Sequence, residues 1–263
     1  MSFFEEKTGN RAYEKSDLFN KENLVHGFTQ RIGGVSEGKI SGFNLGFRVG
    51  DSDDNVKENY KLLANDLKFS LDRAVLSHQT HTDNIRIVTE SDWGKGIKVE
   101  SDIFDTDGLI TNLKNTPLIV FSADCTPIIF YDAKKGVIAA VHAGWRGTVK
   151  KIAVKCVNMM IEKFKSSPSD IIAAVGPSIG SCCFEFGEEA PDIFDKKYLT
   201  KKDNGKYLVD LWSFNEEQLL SVGIPEKNID VSRICTVCNS DKFYSYRVHK
   251  EHTGRMVAVI MQK

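Results

Sequence analysis

Short runs of β-branched and other apolar residues recur along the chain at the length of buried strands, with turn residues between them. Two longer segments place their apolar residues on one face of a helix, and two shorter ones also favour helix. The predicted strands cover 74–76, 85–88, 108–111, 118–122, 128–131, 136–142, 171–175, 230–234 and 256–261. The predicted helices cover 54–67, 147–164, 189–194 and 213–222. Interleaved strands and helices predict a mixed fold of the α/β (α+β) class.

The chain contains no internal repeat, no low-complexity tract and no linker rich in proline, glycine or serine. We therefore predict a single domain over 1–263, with residues 1–20 as an N-terminal extension. Residues 26–51 are rich in glycine and too irregular for a helix. Such a segment suits a loop whose backbone approaches a ligand.

The charge balance and the lengths of the apolar runs argue against nucleic acid or a membrane as a partner. Lys and Arg total 35 and Asp and Glu total 36, so no overall charge attracts nucleic acid or an anionic membrane. The N-terminus lacks the features of a secretory signal, and no apolar run approaches the roughly 18 residues that span a bilayer. A cytoplasmic enzyme acting on small molecules is expected. The 6 cysteines are unevenly spaced and predict thiols, some of them ligands.

Three segments place a metal-binding side chain at the end of a predicted strand, beside a turn. They read SHQTHTDN, FSADCTPI and AVHAGWRG, and they contain His81, Cys125 and His142. Two imidazoles and one thiolate suit zinc, with copper as the competitor, and three protein ligands leave a fourth position open for chemistry. The long gaps match no local zinc-binding motif, so buried strand residues and a surface histidine remain the alternative interpretation.

A competing metal site is suggested by Cys235 and Cys238, which are followed by His249 and His252. A zinc finger places about twelve residues between the two pairs and at least three between the histidines, and both intervals are shorter here. The intervening residues 241–247 (DKFYSYR) favour a strand over a finger helix. A second metal is therefore not expected.

Two further features have ordinary explanations. Cys182 and Cys183 are adjacent, which strains a disulfide, so a loop with one buried thiol is favoured, although the preceding GPSIG segment keeps both near a potential pocket. His78 lies three residues before His81 and points to the opposite face of an extended chain. We expect it to support the site or the fold without binding the metal.

In this order, the chain contains HGFTQRIGGVSEG, SHQTHTDN, TDGLIT, ADCTPIIFYD, AAVHAGWRGT, GPSIGSCCFEFG and FYSYR. These segments resemble the multicopper polyphenol oxidase, or laccase-domain (YfiH-like), family, which is also described as a family of bacterial purine nucleoside phosphorylases. The resemblance covers about 25–259. It implies that His81, Cys125 and His142 are the metal ligands. It also implies a single layered, CNF-like domain with mixed β-sheets packed between helices, unlike a cupredoxin.

The resemblance implies phosphorolysis of adenosine, inosine and 5'-methylthioadenosine, with deamination of adenosine as a further activity. Phosphate attack on the ribose needs cations, and arginine suits phosphate oxygens best. Arg31 is the first candidate, followed by Arg146 and Arg247. Asn44 is a candidate for the ribose hydroxyls, and Asp124 is a candidate for orienting a ligand. We expect a monomer or weak homo-oligomer.

Three other functions remain open on the sequence. The family name suggests copper-dependent phenol oxidation, but the paired HxH segments of a trinuclear copper cluster are absent. Some relatives resemble peptidoglycan editing factors that act on a mis-acylated UDP-muramyl precursor. The chain could also be a metal-stabilised binding module without turnover.

Overall fold

The computed structural model describes residues 3–263. Its strands are β1 (Phe3–Thr8), β2 (Arg11–Ser16), β3 (Leu24–Thr29), β4 (Ile85–Ile87), β5 (Gly108–Thr111), β6 (Leu118–Ser122), β7 (Thr126–Asp132), β8 (Val137–Ala143), β9 (Ile171–Val175), β10 (Glu185–Phe186), β11 (Leu199–Lys201), β12 (Tyr207–Val209), β13 (Ile229–Val231) and β14 (Met256–Gln262). Its α-helices are α1 (Asp53–Leu67), α2 (Trp145–Val149), α3 (Ile152–Phe164), α4 (Ala190–Ile193), α5 (Leu211–Ser221) and α6 (Tyr246–His249).

Two large sheets form the centre of the fold. The first has the strand order β13-β9-β7-β8-β5-β4 and is mixed, because its edge strands β13 and β4 pair in parallel and its inner strands pair antiparallel. The second has the order β1-β2-β3-β14-β6 and is antiparallel throughout. A small third sheet has the order β10-β12-β11.

Alternate side chains of β7 belong to two different cores. Ile128 and Phe130 pack with the apolar face of α3, whereas Ile129 and Tyr131 pack against the five-stranded sheet. The other face of that second sheet packs on α1. The resulting layers are helix, sheet, sheet and helix. Burial of β7 and β8 on both faces explains their continuous apolar sequences. The predicted fold, with mixed sheets between helices, is confirmed.

Several predicted boundaries were wrong. The helix predicted over 147–164 is two helices, because Lys151 adopts a left-handed backbone conformation (φ 60°) between α2 and α3. Residues 74–76 form one isolated bridge, from Val75 to Leu118. They are not a strand, because the backbone groups on either side bond to the loop at Gly94 and Lys95.

The segment 241–247 is not a strand. Consecutive Phe243 and Tyr244 are both buried, whereas a strand covered on one face would alternate. The hydroxyl of Ser245 then accepts a hydrogen bond from the backbone N–H of Val248 at 3.3 Å and begins α6. Within residues 3–20, β1 and β2 pair with each other, and β2 continues the five-stranded sheet. No helix within residues 3–263 is long and apolar enough to cross a membrane.

Candidate metal centre

The side chains of His81, Cys125 and His142 converge at one edge of the six-stranded sheet. Strands β7 and β8 pair with Pro127 opposite His142, which brings Cys125, at the entrance to β7, to the same edge. His81 reaches the edge from the loop before β4. The potential ligand atoms of the three residues all lie within 4.8 Å of one another, and Cys125 Sγ is 3.6 Å from His81 Nε2. This group can hold a metal ion.

The three side chains differ in their exposure to solvent, which increases from β8 to the loop before β4. His142 is only 4% exposed, Cys125 is half-buried and His81 is exposed. His81 (φ 64°) and Asp124 (φ 84°) both hold left-handed backbone conformations that non-glycine residues rarely adopt. Two such residues beside one cluster indicate that the fold holds the backbone in a costly shape to aim these side chains.

Asp107 fixes the orientation of His142. β5 and β8 pair with Gly108 opposite Val141, so the next step of the register places Asp107 beside His142. Its Oδ1 lies 2.7 Å from His142 Nδ1 and also accepts the backbone N–H of His81 at 3.1 Å. With Nδ1 directed to a carboxylate, Nε2 of His142 is left for a metal. Sequence reasoning noted the TDGLIT segment but assigned this buried carboxylate no role.

The neighbouring histidines favour the thiolate form of Cys125, which is the form that binds a metal. Burial raises the pKa of the Cys125 thiol, but the charge of His142, together with hydrogen bonds from His142 and His81, outweighs burial and lowers this pKa to about 6. Burial lowers the pKa of His142, but the Cys125 thiolate and the Asp107 carboxylate outweigh it and raise that pKa to about 9. Near neutral pH the metal-free pair is therefore a thiolate and an imidazolium.

Asp124 is not a member of the cluster, although it precedes Cys125. Its Oδ1 accepts a hydrogen bond from Thr236 Oγ1 at 2.6 Å. Its Oδ2 accepts bonds from Ser245 Oγ at 3.0 Å and from the backbone N–H of Arg247 at 2.6 Å. The side chain therefore ties the loop that follows β13 to the backbone that presents Cys125.

The guanidinium groups of Arg31 and Arg247 bond to loop backbone and not to the three candidate ligands. Nη1 of Arg31 donates to the carbonyl of Ser240 at 3.1 Å, and the guanidinium lies over the Tyr244 ring. Nη1 of Arg247 donates to the carbonyl of Cys183 at 3.3 Å. Neither arginine lines the pocket that opens beside His81 and His142.

Arg146 and Asn44 are also outside that pocket. Arg146 lies over the ring of Trp145, with 4.3 Å between its Cζ and the ring centroid. Asn44 is fully buried, and its side chain donates to Asp51 Oδ2 at 2.9 Å and accepts from the backbone N–H of Arg255 at 2.9 Å. Asn44 thus shapes the loop that carries Arg255.

A pocket of about 670 Å³ opens beside His81 and His142. Phe47 and Arg255 line it, and sequence reasoning identified neither of them. Both lie in loops that no periodic pattern marks, and only the position of Arg255 directly before β14 was a signal. His78 also lines the pocket and stacks on the exposed Phe104 ring; it is not a member of the ligand group.

Replacing Asp107 with asparagine is expected to weaken metal binding about tenfold to a hundredfold, the usual effect of losing a carboxylate behind a histidine ligand. The carboxylate accepts four hydrogen bonds, so an amide NH₂ at either oxygen position would face donors from His142, His81, Thr80 or Thr82. Zinc affinity measured by chelator competition tests this. The matched control is substitution of the exposed Asp105 by asparagine. Equal zinc affinity in the Asp107→Asn variant and the parent would show that Asp107 does not support metal binding.

Comparison with known proteins identifies a matching family model and similar relatives. Residues 25–263 match the family model described as multi-copper polyphenol oxidoreductase laccase. A purine nucleoside phosphorylase of Bacteroides thetaiotaomicron is 34% identical over 252 residues, covering 93% of each chain. Adenosine deaminase RL5, from an unknown prokaryotic organism, is 34% identical over 259 residues, covering 95% of this chain and 98% of the relative.

A solved structure extends the agreement to the fold. The crystal structure of YlmD from Geobacillus stearothermophilus superposes with a TM-score of 0.92 at 34% identity, and the match covers 100% of both chains. The resemblance found in the sequence motifs is thus confirmed over nearly the whole chain. The protein belongs to the family described as multi-copper polyphenol oxidoreductase laccase.

Proposed function

We propose that this protein is a zinc-dependent purine nucleoside phosphorylase that acts on adenosine, inosine and 5'-methylthioadenosine and also deaminates adenosine. One observation carries the proposal: the group of His81, Cys125 and His142 lies at the wall of a pocket large enough for a nucleoside. Relatives that match nearly the whole chain are named purine nucleoside phosphorylase and adenosine deaminase, which supports enzymatic action on nucleosides.

The donor set fits zinc. Two imidazole nitrogens and one thiolate are a preferred zinc combination, and three protein ligands are typical of a catalytic zinc with one open position. When bound, the ion supplies a Lewis acid at the wall of the pocket. Copper oxidases of the multicopper type need further histidine clusters, and within residues 3–263 the only other group of side chains close enough to hold a metal consists of cysteines.

The pocket fits the proposed substrates in size and character. Its volume of about 670 Å³ lies within the range of roughly 300 to 1,000 Å³ that is usual for small-molecule sites. Phe47, Ile97 and Phe121 contribute apolar surface for a purine, while His81 and Arg255 contribute polar groups. The pocket therefore has room for a nucleoside with a second reactant beside it.

Arg255 is the residue we propose for phosphate. It lines the pocket, and its Nη1 donates to the carbonyls of Thr253 and Gly254 at 3.0 and 3.1 Å. Among residues 3–263 its Nε and Nη2 make no hydrogen bond, so these groups remain for an anion. In phosphorolysis a phosphate oxygen attacks C1' of the ribose while the bond to the purine nitrogen breaks. A fixed cation beside the pocket holds and neutralises that phosphate.

Substituting Arg255 by alanine is expected to lower kcat/KM for phosphate at least tenfold, since a charge-assisted contact contributes about 1.5 kcal/mol or more. Deamination consumes water and not phosphate, so inosine formation should fall less. Initial rates at varied phosphate measure both effects. Arg31→Ala and Arg247→Ala serve as matched controls. A loss confined to Arg31→Ala would move the phosphate site to the position that the sequence favoured first.

The direct test of the function follows the products of adenosine with and without phosphate. At initial rates, before inosine accumulates and is itself phosphorolysed, we expect adenine and ribose 1-phosphate in equal amounts only when phosphate is present, and inosine in both cases. Adenine release that does not respond to phosphate would contradict phosphorolysis. The family description favours phenol oxidation as the second candidate. If the protein consumes oxygen with a phenol and does not convert adenosine, phenol oxidation is the function.

A further inference from the structure

Four cysteines from two separate loops meet at the surface of the protein. Cys182 and Cys183 lie in the turn after Gly180, and Cys235 and Cys238 lie in the turn after β13. All four sulfur atoms lie within 4.8 Å of one another. Sγ of Cys238 is 3.5 Å from the sulfur atoms of both Cys182 and Cys183. The chain brings together residues that are more than 50 positions apart.

The sulfur spacing matches a tetrahedral metal site. Zinc–sulfur bonds of about 2.3 Å at tetrahedral angles place the sulfur atoms about 3.8 Å apart. A disulfide would place two of them at about 2.05 Å, and all four cysteines are free thiols. Here two sulfur–sulfur distances are 3.5 Å and none exceeds 4.8 Å, so the observed distances lie on both sides of the value expected around zinc.

The two loops also supply hydrogen bonds that stabilise a thiolate. The backbone N–H of Gly180 donates to Cys235 Sγ at 3.3 Å. The backbone N–H groups of Val237 and Cys238, within the Cys-x2-Cys turn, are also directed at this sulfur. These backbone amides are therefore in place to stabilise a Cys235 thiolate.

We propose that Cys182, Cys183, Cys235 and Cys238 form a second, structural metal site that binds zinc or a similar thiophilic divalent cation. Four thiolates complete a tetrahedral coordination shell, so no position is left for substrate or water. The site is thus distinct in kind from the three-ligand centre. The histidines that follow in the sequence do not take part, because Nδ1 of His249 bonds to the carbonyl of Ser245 and His252 is not a member of the group.

A metal at this position would fasten the loops that support the first centre. Thr236, between the two cysteines of the second pair, donates to Asp124, which adjoins Cys125. The carbonyl of Cys183 accepts a bond from Arg247. Linking the two turns through one ion would therefore fix the backbone on which Cys125 is presented, without contact with substrate.

The test combines metal analysis with cobalt spectroscopy on the full chain, purified under reducing conditions. The parent is expected to bind about two equivalents of zinc, and the Cys182→Ser/Cys238→Ser double variant about one. Cys156→Ala is the matched control, because Cys156 is buried in α3 and belongs to neither group. It should retain both equivalents. A double variant that binds as much zinc as the parent would overturn the proposal.

A second measurement remains decisive if the double variant does not fold. In Cys125→Ala the three-ligand centre has no thiolate, so any thiolate-to-cobalt charge-transfer absorption must come from the four-cysteine group. We expect this absorption at about the strength of four thiolates, and its loss when zinc is added. Its absence, or an intact mass that shows a disulfide among these cysteines in the reduced preparation, would contradict the site. Neither readout depends on nucleoside turnover.

Discussion

Replacing Cys125 with alanine should empty the three-ligand centre and lower turnover of adenosine by about a thousandfold or more. Metal catalysis contributes several kcal/mol, and about 4 kcal/mol corresponds to a factor of a thousand in rate. The fold should persist, because Cys125 is half-buried at the entrance to β7 and the cores on both faces of that strand remain intact. Zinc content, kcat and the thermal midpoint of the same preparation measure the three effects.

The control for this substitution is Cys156→Ala. Cys156 is fully buried against the six-stranded sheet, so its truncation costs packing energy but removes no ligand. It should melt earlier than the parent and still bind metal and turn over. If Cys125→Ala melts far below the Cys156 variant, the ion is mainly structural. Full activity in Cys125→Ala with the three-ligand centre empty would contradict a catalytic metal at this position.

The Gly144→Ala substitution, which adds a single methyl group, is expected to lower turnover about a hundredfold or more, although Gly144 is not a ligand. A Cβ at this position would lie 2.8 Å from His81 Cδ2 and 3.2 Å from Cys125 Sγ. Its backbone (φ −59°, ψ 165°) suits alanine, so the effect arises from crowding and not from backbone strain. Displacing reacting groups by about 1 Å can cost a hundredfold in rate.

Gly147→Ala provides the comparison for Gly144→Ala. Gly147 lies in α2, and its Cβ would meet the backbone oxygen of Thr82 at 3.2 Å and no ligand side chain. Metal content and kcat should therefore stay close to those of the parent. Parent-like turnover in Gly144→Ala would show that the three side chains do not act in the arrangement described.

The sequence predicted most elements whose burial imposes a pattern, but not β3, which is buried throughout and whose residues 26–29 were assigned to the glycine-rich loop. β7 and β8 are buried on both faces and read as continuous apolar runs, and α1 shows one apolar face. β1 was missed because none of its residues is fully buried, and its charged residues resemble solvated surface. The third sheet was missed because its strands have two or three residues and because β11 and β12 lie in a segment rich in lysine, which resembles solvated surface.

The site shows the same limit. His81, Cys125 and His142 were chosen from strand ends and family motifs, because gaps of this length carry no local metal-binding signal. Asp107 and Arg255 acquire their positions from sheet register and from loops that meet in the fold, so no spacing along the chain could indicate them. The four cysteines were read as two separate pairs for the same reason: the contact between their loops is long-range.

The most direct measurement of the central claim follows adenine release from adenosine and phosphate after the metal has been stripped from the protein and then zinc or copper has been supplied. We expect that metal-free protein is nearly inactive, that zinc restores the rate with one ribose 1-phosphate formed for each purine base released, adenine or hypoxanthine, and that Cys125→Ala does not recover. Metal-free protein that releases adenine at the parent rate would contradict the claim, as would recovery with copper alone.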